Sequence, residues 1–155
     1  MKRLFLIVII LSSCVTNDKE SSITYSYIKN STPFKVKVSF FKDGNTNSYF
    51  STEMNANSKQ EVFYYKARGK TVGLSYNKII QADDSIVFQF ETDTFLTHFN
   101  KQIDTINKDG YGITHPNNIL NPFSFKLSKI KETKRTATYE YVYEITNQDF
   151  FKARK

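Results

Sequence analysis

The chain holds one cysteine, two histidines and no tryptophan among its 155 residues, with five glycines and three prolines. A lone cysteine closes no intrachain disulfide and builds none of the cysteine clusters of zinc sites. The two histidines, His98 and His115, fit no His-Glu-x-x-His or other metal-ligand spacing, so neither a metal nor a cofactor is expected. No Gly-x-Ser-x-Gly elbow is present to seat a catalytic serine. The one long apolar run, Leu4 to Leu11, is far shorter than the roughly 20 residues of a membrane-spanning helix.

What is present begins at the amino terminus. Lys2 and Arg3 precede the apolar run, and the small residues Ser12 and Ser13 follow it, the pattern of a secretory signal. The polar stretch Thr16 to Ser22 then ends any helix begun by the run. Leu11-Ser12-Ser13-Cys14 resembles the lipobox of bacterial lipoproteins, a Leu followed by two small residues and an obligatory Cys. The resemblance implies a diacylglycerol on the Cys14 thiol, cleavage between Ser13 and Cys14, and a further acyl chain on the new amino group. Each buried methylene contributes about 0.8 kcal/mol, so two or more chains anchor stably where one binds only transiently.

On that reading, residues 1–13 are a cleaved leader, 14–22 a polar tether and 23–155 a single domain. Lipidation consumes the only thiol, which excludes a catalytic cysteine and leaves the fold to its hydrophobic core. Abundant Lys, Asn, Ile, Phe and Tyr also resemble the composition of small envelope lipoproteins of the Bacteroidota. Val15 stands where enteric lipoproteins retained in the inner membrane carry Asp, which favours an outer-membrane destination and leaves its periplasmic or surface face open.

The formal net charge of +7 loses Lys2 and Arg3 with the leader, leaving +5. The lysines are spread along the chain, including the outward positions of expected strands, where they solvate a surface and discourage edge-to-edge pairing. An exported, anchored chain without a recognisable binding motif is not expected to bind nucleic acid. Aromatic residues reach 15%, all Phe and Tyr, a composition that leans to β-structure.

Alternation places the strands. Phe34, Val36, Val38 and Phe40 alternate with polar residues, as do Ile86, Phe88 and Phe90, and then Tyr139, Tyr141, Tyr143 and Ile145. Further strands are expected at 23–28, 48–54, 61–66, 71–76 and 122–127, the last with Phe123, Phe125 and Leu127 on one face. Residues 94–100 read as a strand or a helical turn, and 104–121 as a long polar loop. Thr146 and Asp149 have capping-box spacing and start a short terminal helix. Seven or eight short strands favour an antiparallel β-sandwich, immunoglobulin-like or related, with a barrel as the alternative.

Candidate chemistry is sparse. Asp83 and Asp84 are adjacent, which suits a polar turn better than a catalytic pair. Asp43, Asn45 and Asn47 begin a calcium-loop pattern, but Ser48 and Met54 occupy positions that require Gly and Glu. Asn107 to Gly110 lacks its leading Asp, since Thr105 stands there. Asp84-Ser85-Ile86 and Asp104-Thr105-Ile106 are similar to the O-glycosylation acceptor of the Bacteroidota, which makes Thr105 and Ser85 candidate glycosylation sites. Tyr111 and His115, in the long loop, are the candidate binding residues, with Tyr111 expected to be exposed.

These readings favour a non-enzymatic, lipid-anchored envelope module that binds a glycan, a peptide or another envelope protein, or plays a structural part. The alternatives are an inhibitor or immunity-type protein that blocks a partner enzyme, with a projecting loop, and an envelope-polymer hydrolase. A hydrolase would bring His98 or His115 within reach of an Asp in a concave pocket.

Overall fold

The computed structural model describes residues 20–42, 45–69, 84–91, 93–103 and 110–154. Nine strands are described: β1 (Ser21–Asn30), β2 (Val36–Phe41), β3 (Phe50–Met54), β4 (Lys59–Arg68), β5 (Ser85–Phe90), β6 (Thr94–Phe99), β7 (Gly110–Tyr111), β8 (Lys126–Glu132) and β9 (Thr136–Ile145). A 3-10 turn (Pro122–Ser124) precedes β8, and helix α1 (Asn147–Ala153) follows β9. The strands form two sheets of order β4-β1-β9-β8 and β3-β2-β5-β6-β7, packed as a sandwich and not closed into a barrel.

The five-stranded sheet follows directly from its alternation. Val36, Val38 and Phe40 of β2 stand opposite Phe90, Phe88 and Ile86 of β5, and Leu96 of β6 stands opposite Phe88. All seven are buried, so one face of this sheet is a continuous apolar layer. Ile28, Tyr143 and Ile145 of the other sheet meet that layer, and Phe150 of α1 caps it, with its ring 4.2 Å from that of Phe34. The Thr146 backbone N–H and hydroxyl both donate to Asp149 Oδ2, at 2.8 and 3.1 Å, so the expected cap is formed.

The sheets are mixed, which corrects the expectation of antiparallel pairing throughout. β1 runs parallel to β9 over its whole length, from Ser21 opposite Thr136 to Asn30 opposite Ile145, and β6 runs parallel to β7. Parallel neighbours need a long connection. For β1 and β9 that connection includes the whole five-stranded sheet. The short β6–β7 pair depends on close approach: a Cβ on Gly110 would lie 2.4 Å from the Thr97 carbonyl oxygen.

Segment 122–127 also departs from expectation. Asn121 Oδ1 accepts the Phe123 backbone N–H at 3.0 Å, and Pro122 suits the first helical position, so a 3-10 turn forms and β8 starts only at Lys126. Phe123 is therefore exposed while Phe125 is buried. Residues 94–99 form a strand, which settles the open choice there. The strand expected at 71–76 lies outside the described residues.

Candidate functional site

The segment from Gly112 to Phe125 crosses from the edge of one sheet at β7 to the edge of the other at β8. A buried asparagine holds it in place. Asn118 donates through Nδ2 to the carbonyls of Phe99 and Tyr111, each at 2.9 Å, and accepts the Leu120 N–H at 2.8 Å. One side chain thus satisfies three backbone groups that burial would otherwise strand. Ile119 and Leu120 then enter the core, and the Ile119 N–H donates to His98 Nδ1 at 3.1 Å.

His98 is fully buried among the rings of Phe88, Tyr111 and Tyr143. Burial, aided by the nearby His115, lowers its pKa from the ordinary 6.5 to about 3. It is therefore a neutral core residue, with Nδ1 accepting and Nε2 lacking a partner. His115 sits at the surface, stacked on Tyr111 with ring centroids 4.1 Å apart and planes 16° from parallel. Its Nδ1 accepts the Asn117 N–H at 3.1 Å, and burial and Lys152 lower its pKa.

The two candidate binding residues are thus brought together, but not as expected. Tyr111 is only 5% exposed, because its strand pairing with β6 turns the ring into the core. Burial and then the Asp149 charge raise its pKa to about 12. Ser85 opens β5, half-buried, opposite Phe99 and Phe41. Ser13, Cys14 and Thr105 lie outside the described residues.

Beside this crossing segment, at the end of the four-stranded sheet where β9 runs into α1, is a cleft of about 390 Å³. It is lined by Asn117, Phe123 and Ser124 of the crossing segment, Lys126 of β8, Tyr143 and Glu144 of β9, and Gln148 and Asp149 of α1. Tyr143 donates its hydroxyl to the Asn117 carbonyl at 2.7 Å, bracing one wall against the other. Phe123 stands on the rim with 93% of its surface exposed.

The two carboxylates of the cleft differ. Asp149 is buried and its pKa is raised, chiefly by desolvation, against the lowering influence of Thr146 and of the nearby Tyr111 hydroxyl. Its Oδ1 makes no well-formed hydrogen bond. Glu144 is held below the usual carboxylate range by the Ser31 hydroxyl and by Lys29, whose ammonium lies 2.9 Å away. The cleft therefore offers acceptors of two kinds, a lysine and an amide as donors, and an apolar rim, which is the equipment for holding a partly apolar, hydrogen-bonding group. Its carboxylates also carry the helix cap and an ion pair.

Sequence reasoning missed Phe123 and the place of Asp149 in a cleft. For Phe123 a signal was available, because Asn followed by Pro starts a helical turn. For Asp149 none was, since the cleft arises between segments distant in the chain. The described residues also form other hollows. Among them are a groove on the outer face of β2, β3 and β5, lined by charged side chains including the paired Lys35 and Glu53, and an apolar hollow lined by Phe40, Tyr49 and Phe50. No family model matches the chain, and no curated protein or solved structure is significantly similar to it.

Proposed function

We propose that this chain is a lipid-anchored, non-enzymatic binding module of the bacterial envelope, and that the cleft beside Phe123 receives its partner. The observation that carries the reading is Phe123 itself. A phenylalanine 93% exposed, beside a concave and hydrogen-bonding surface, loses apolar hydration on any contact that covers it. Side chains of this kind are the anchors of protein interfaces, where a few central residues carry most of the binding energy. Cys14 supplies the anchor, and the outer membrane is the favoured destination.

Phe123 also favours a second reading within the same class of interaction. On a short turn held by Asn121, it has the form of a projecting group that could plug a partner enzyme, as an inhibitor or immunity-type protein does. A hydrolase reading would need His98 or His115 beside an Asp. Among the described residues His98 is enclosed by rings and His115 is stacked on Tyr111.

The test is a pull-down from solubilised envelope with the full acylated chain as bait, alongside Phe123→Ala and Gln148→Ala variants. A partner retained by the parent chain and lost from Phe123→Ala supports the reading, and an enzyme inhibited on binding selects the inhibitor form. Equal retention by the parent and both variants overturns the assignment of the cleft.

A further inference from the structure

We propose that the end of the four-stranded sheet opposite the cleft is a membrane-facing surface that engages anionic lipid headgroups and holds the cleft away from the bilayer. This rests on the reading of Cys14 as the lipid anchor. The first support is the reach of the tether. Glu20 is fastened to the fold: its N–H donates to the Arg135 carbonyl at 2.9 Å, and its carbonyl accepts the Gly69 N–H at 3.1 Å. Five residues, and so six Cα–Cα steps, separate it from Cys14. Fully extended, they span at most about 20 Å.

The parallel pairing of β1 and β9 turns this reach into an orientation. Both strands start at the tethered end, at Ser21 and Thr136, and both finish at the cleft end, at Asn30 and Ile145. Ten residues of strand rise about 33 Å. The tether is shorter than the sheet, so the chain cannot stand inverted with its cleft end on the bilayer.

The second support is charge. Around the start of β1, the end of β4 and the β8–β9 turn are Lys66, Arg68, Lys131, Lys134 and Arg135, all exposed. Among the described residues of this end, the acidic side chains are Glu20, paired with Arg135 at 3.5 Å, and Glu132. Toward the other end three lysines meet carboxylates: Lys29 pairs with Glu144 at 2.9 Å, Lys59 with Glu140 at 3.4 Å, and Lys35 with Glu53. A surplus of cations acts on a membrane only within a Debye length, about 8 Å at physiological ionic strength. A tether of this reach lets these five residues come within that distance, and each basic residue near an anionic leaflet adds to the attraction. Lys126, Lys129 and Lys131 of β8 also blunt a sheet edge, a role separate from the basic residues that Arg68, Lys134 and Arg135 add at the tethered end.

The experiment uses the full acylated chain in vesicles of phosphatidylcholine, with and without phosphatidylglycerol, and amine-reactive footprinting read by mass spectrometry. With anionic lipid, modification of Lys66, Lys131 and Lys134 is expected to fall several-fold relative to neutral vesicles and to recover at high salt. Lys126 and Lys152, near the cleft, should react equally in both. Equal reactivity of Lys66, Lys131 and Lys134 in the two vesicle types overturns the proposal, as does protection centred on Lys29 and Lys59, which would mean that the sheet lies flat. Flotation scores the anchor separately. A chain that floats with neutral vesicles but shows no lipid-dependent footprint loses only the orientation, whereas one that does not float loses the anchor and the orientation with it.

Discussion

The inner faces of the two sheets are built on different principles. The five-stranded sheet presents Val36, Val38, Phe40, Ile86, Phe88, Phe90 and Leu96, and its cohesion is apolar burial. The four-stranded sheet buries Ser22, Thr24 and Ser26 of β1 opposite Ala137, Tyr139 and the half-buried Tyr141 of β9, so that Thr24 and Ser26 face large rings. Its tyrosines Tyr25 and Tyr27 face outward instead, where Tyr25 meets Tyr64 with centroids 5.4 Å apart and the Lys59 ammonium lies 3.9 Å from the Tyr27 ring centroid. The first face tolerates exchange of one hydrophobic group for another of similar volume. The second depends on fit and on hydrogen bonds, of which Asn30 makes the most: it donates to the carbonyls of Phe34 and Asn55, at 2.8 and 3.0 Å, and accepts from the N–H and hydroxyl of Thr32.

Substitutions on each face would sharpen this contrast or dissolve it. The largest effect is expected for Phe88→Ala, which empties the centre of the apolar face and should cost about 3–5 kcal/mol in urea unfolding. Asn30→Ala removes far less volume yet strands buried carbonyls, and a loss of about 2–3 kcal/mol is expected. Were its cost no larger than that of an exposed alanine substitution, the polar pin would be incidental. Ser26→Leu adds apolar volume where Phe63 and Tyr141 already flank the site, and overpacking should cost about 1–3 kcal/mol. A stabilised variant would show that the small residues of β1 are not there for fit.

The smallest neutral-pH effect is expected for His98→Leu, at the boundary between the two faces. The substitution strands the Ile119 N–H but removes the partnerless Nε2, so the net cost at pH 7 should be about 1 kcal/mol. Its signature is the pH dependence. The folded pKa of about 3 lies below the ordinary 6.5, so unfolding takes up a proton throughout that window. The parent chain should lose stability as pH falls from 6.5 toward 3, by up to about 1.4 kcal/mol per unit from this group. His98→Leu should flatten that limb, as measured by urea midpoints at several pH values. An unchanged slope would mean that His98 is protonated in the folded chain.

Much of this molecule could be read along the chain. The strands at β2, β5 and β9, the cap at Thr146 and Asp149, and the crossing segment after β7 all carry local signals. The burial of Tyr111 does not, because the hydroxyl and ring suit a loop surface as well as a core, and the pairing of β7 with β6 decided between them. The spacing of Phe123 from Phe125 and Leu127 has a period of two and points to a strand face, but the turn chemistry of Asn121-Pro122 prevails over that period.

Sequence alone determined the period of β2, β5 and β9 and the lipobox-like spacing before Cys14, since both are properties of neighbouring residues. Only the tertiary structure decided which face of β1 is buried, that β1 lies parallel to β9, and that Phe123, Glu144 and Asp149 border one cleft. A two-residue period says that a strand has two faces, but the choice between them depends on the size of side chains across a sheet. Those neighbours lie more than a hundred residues away for β1 and β9, beyond the reach of any local pattern.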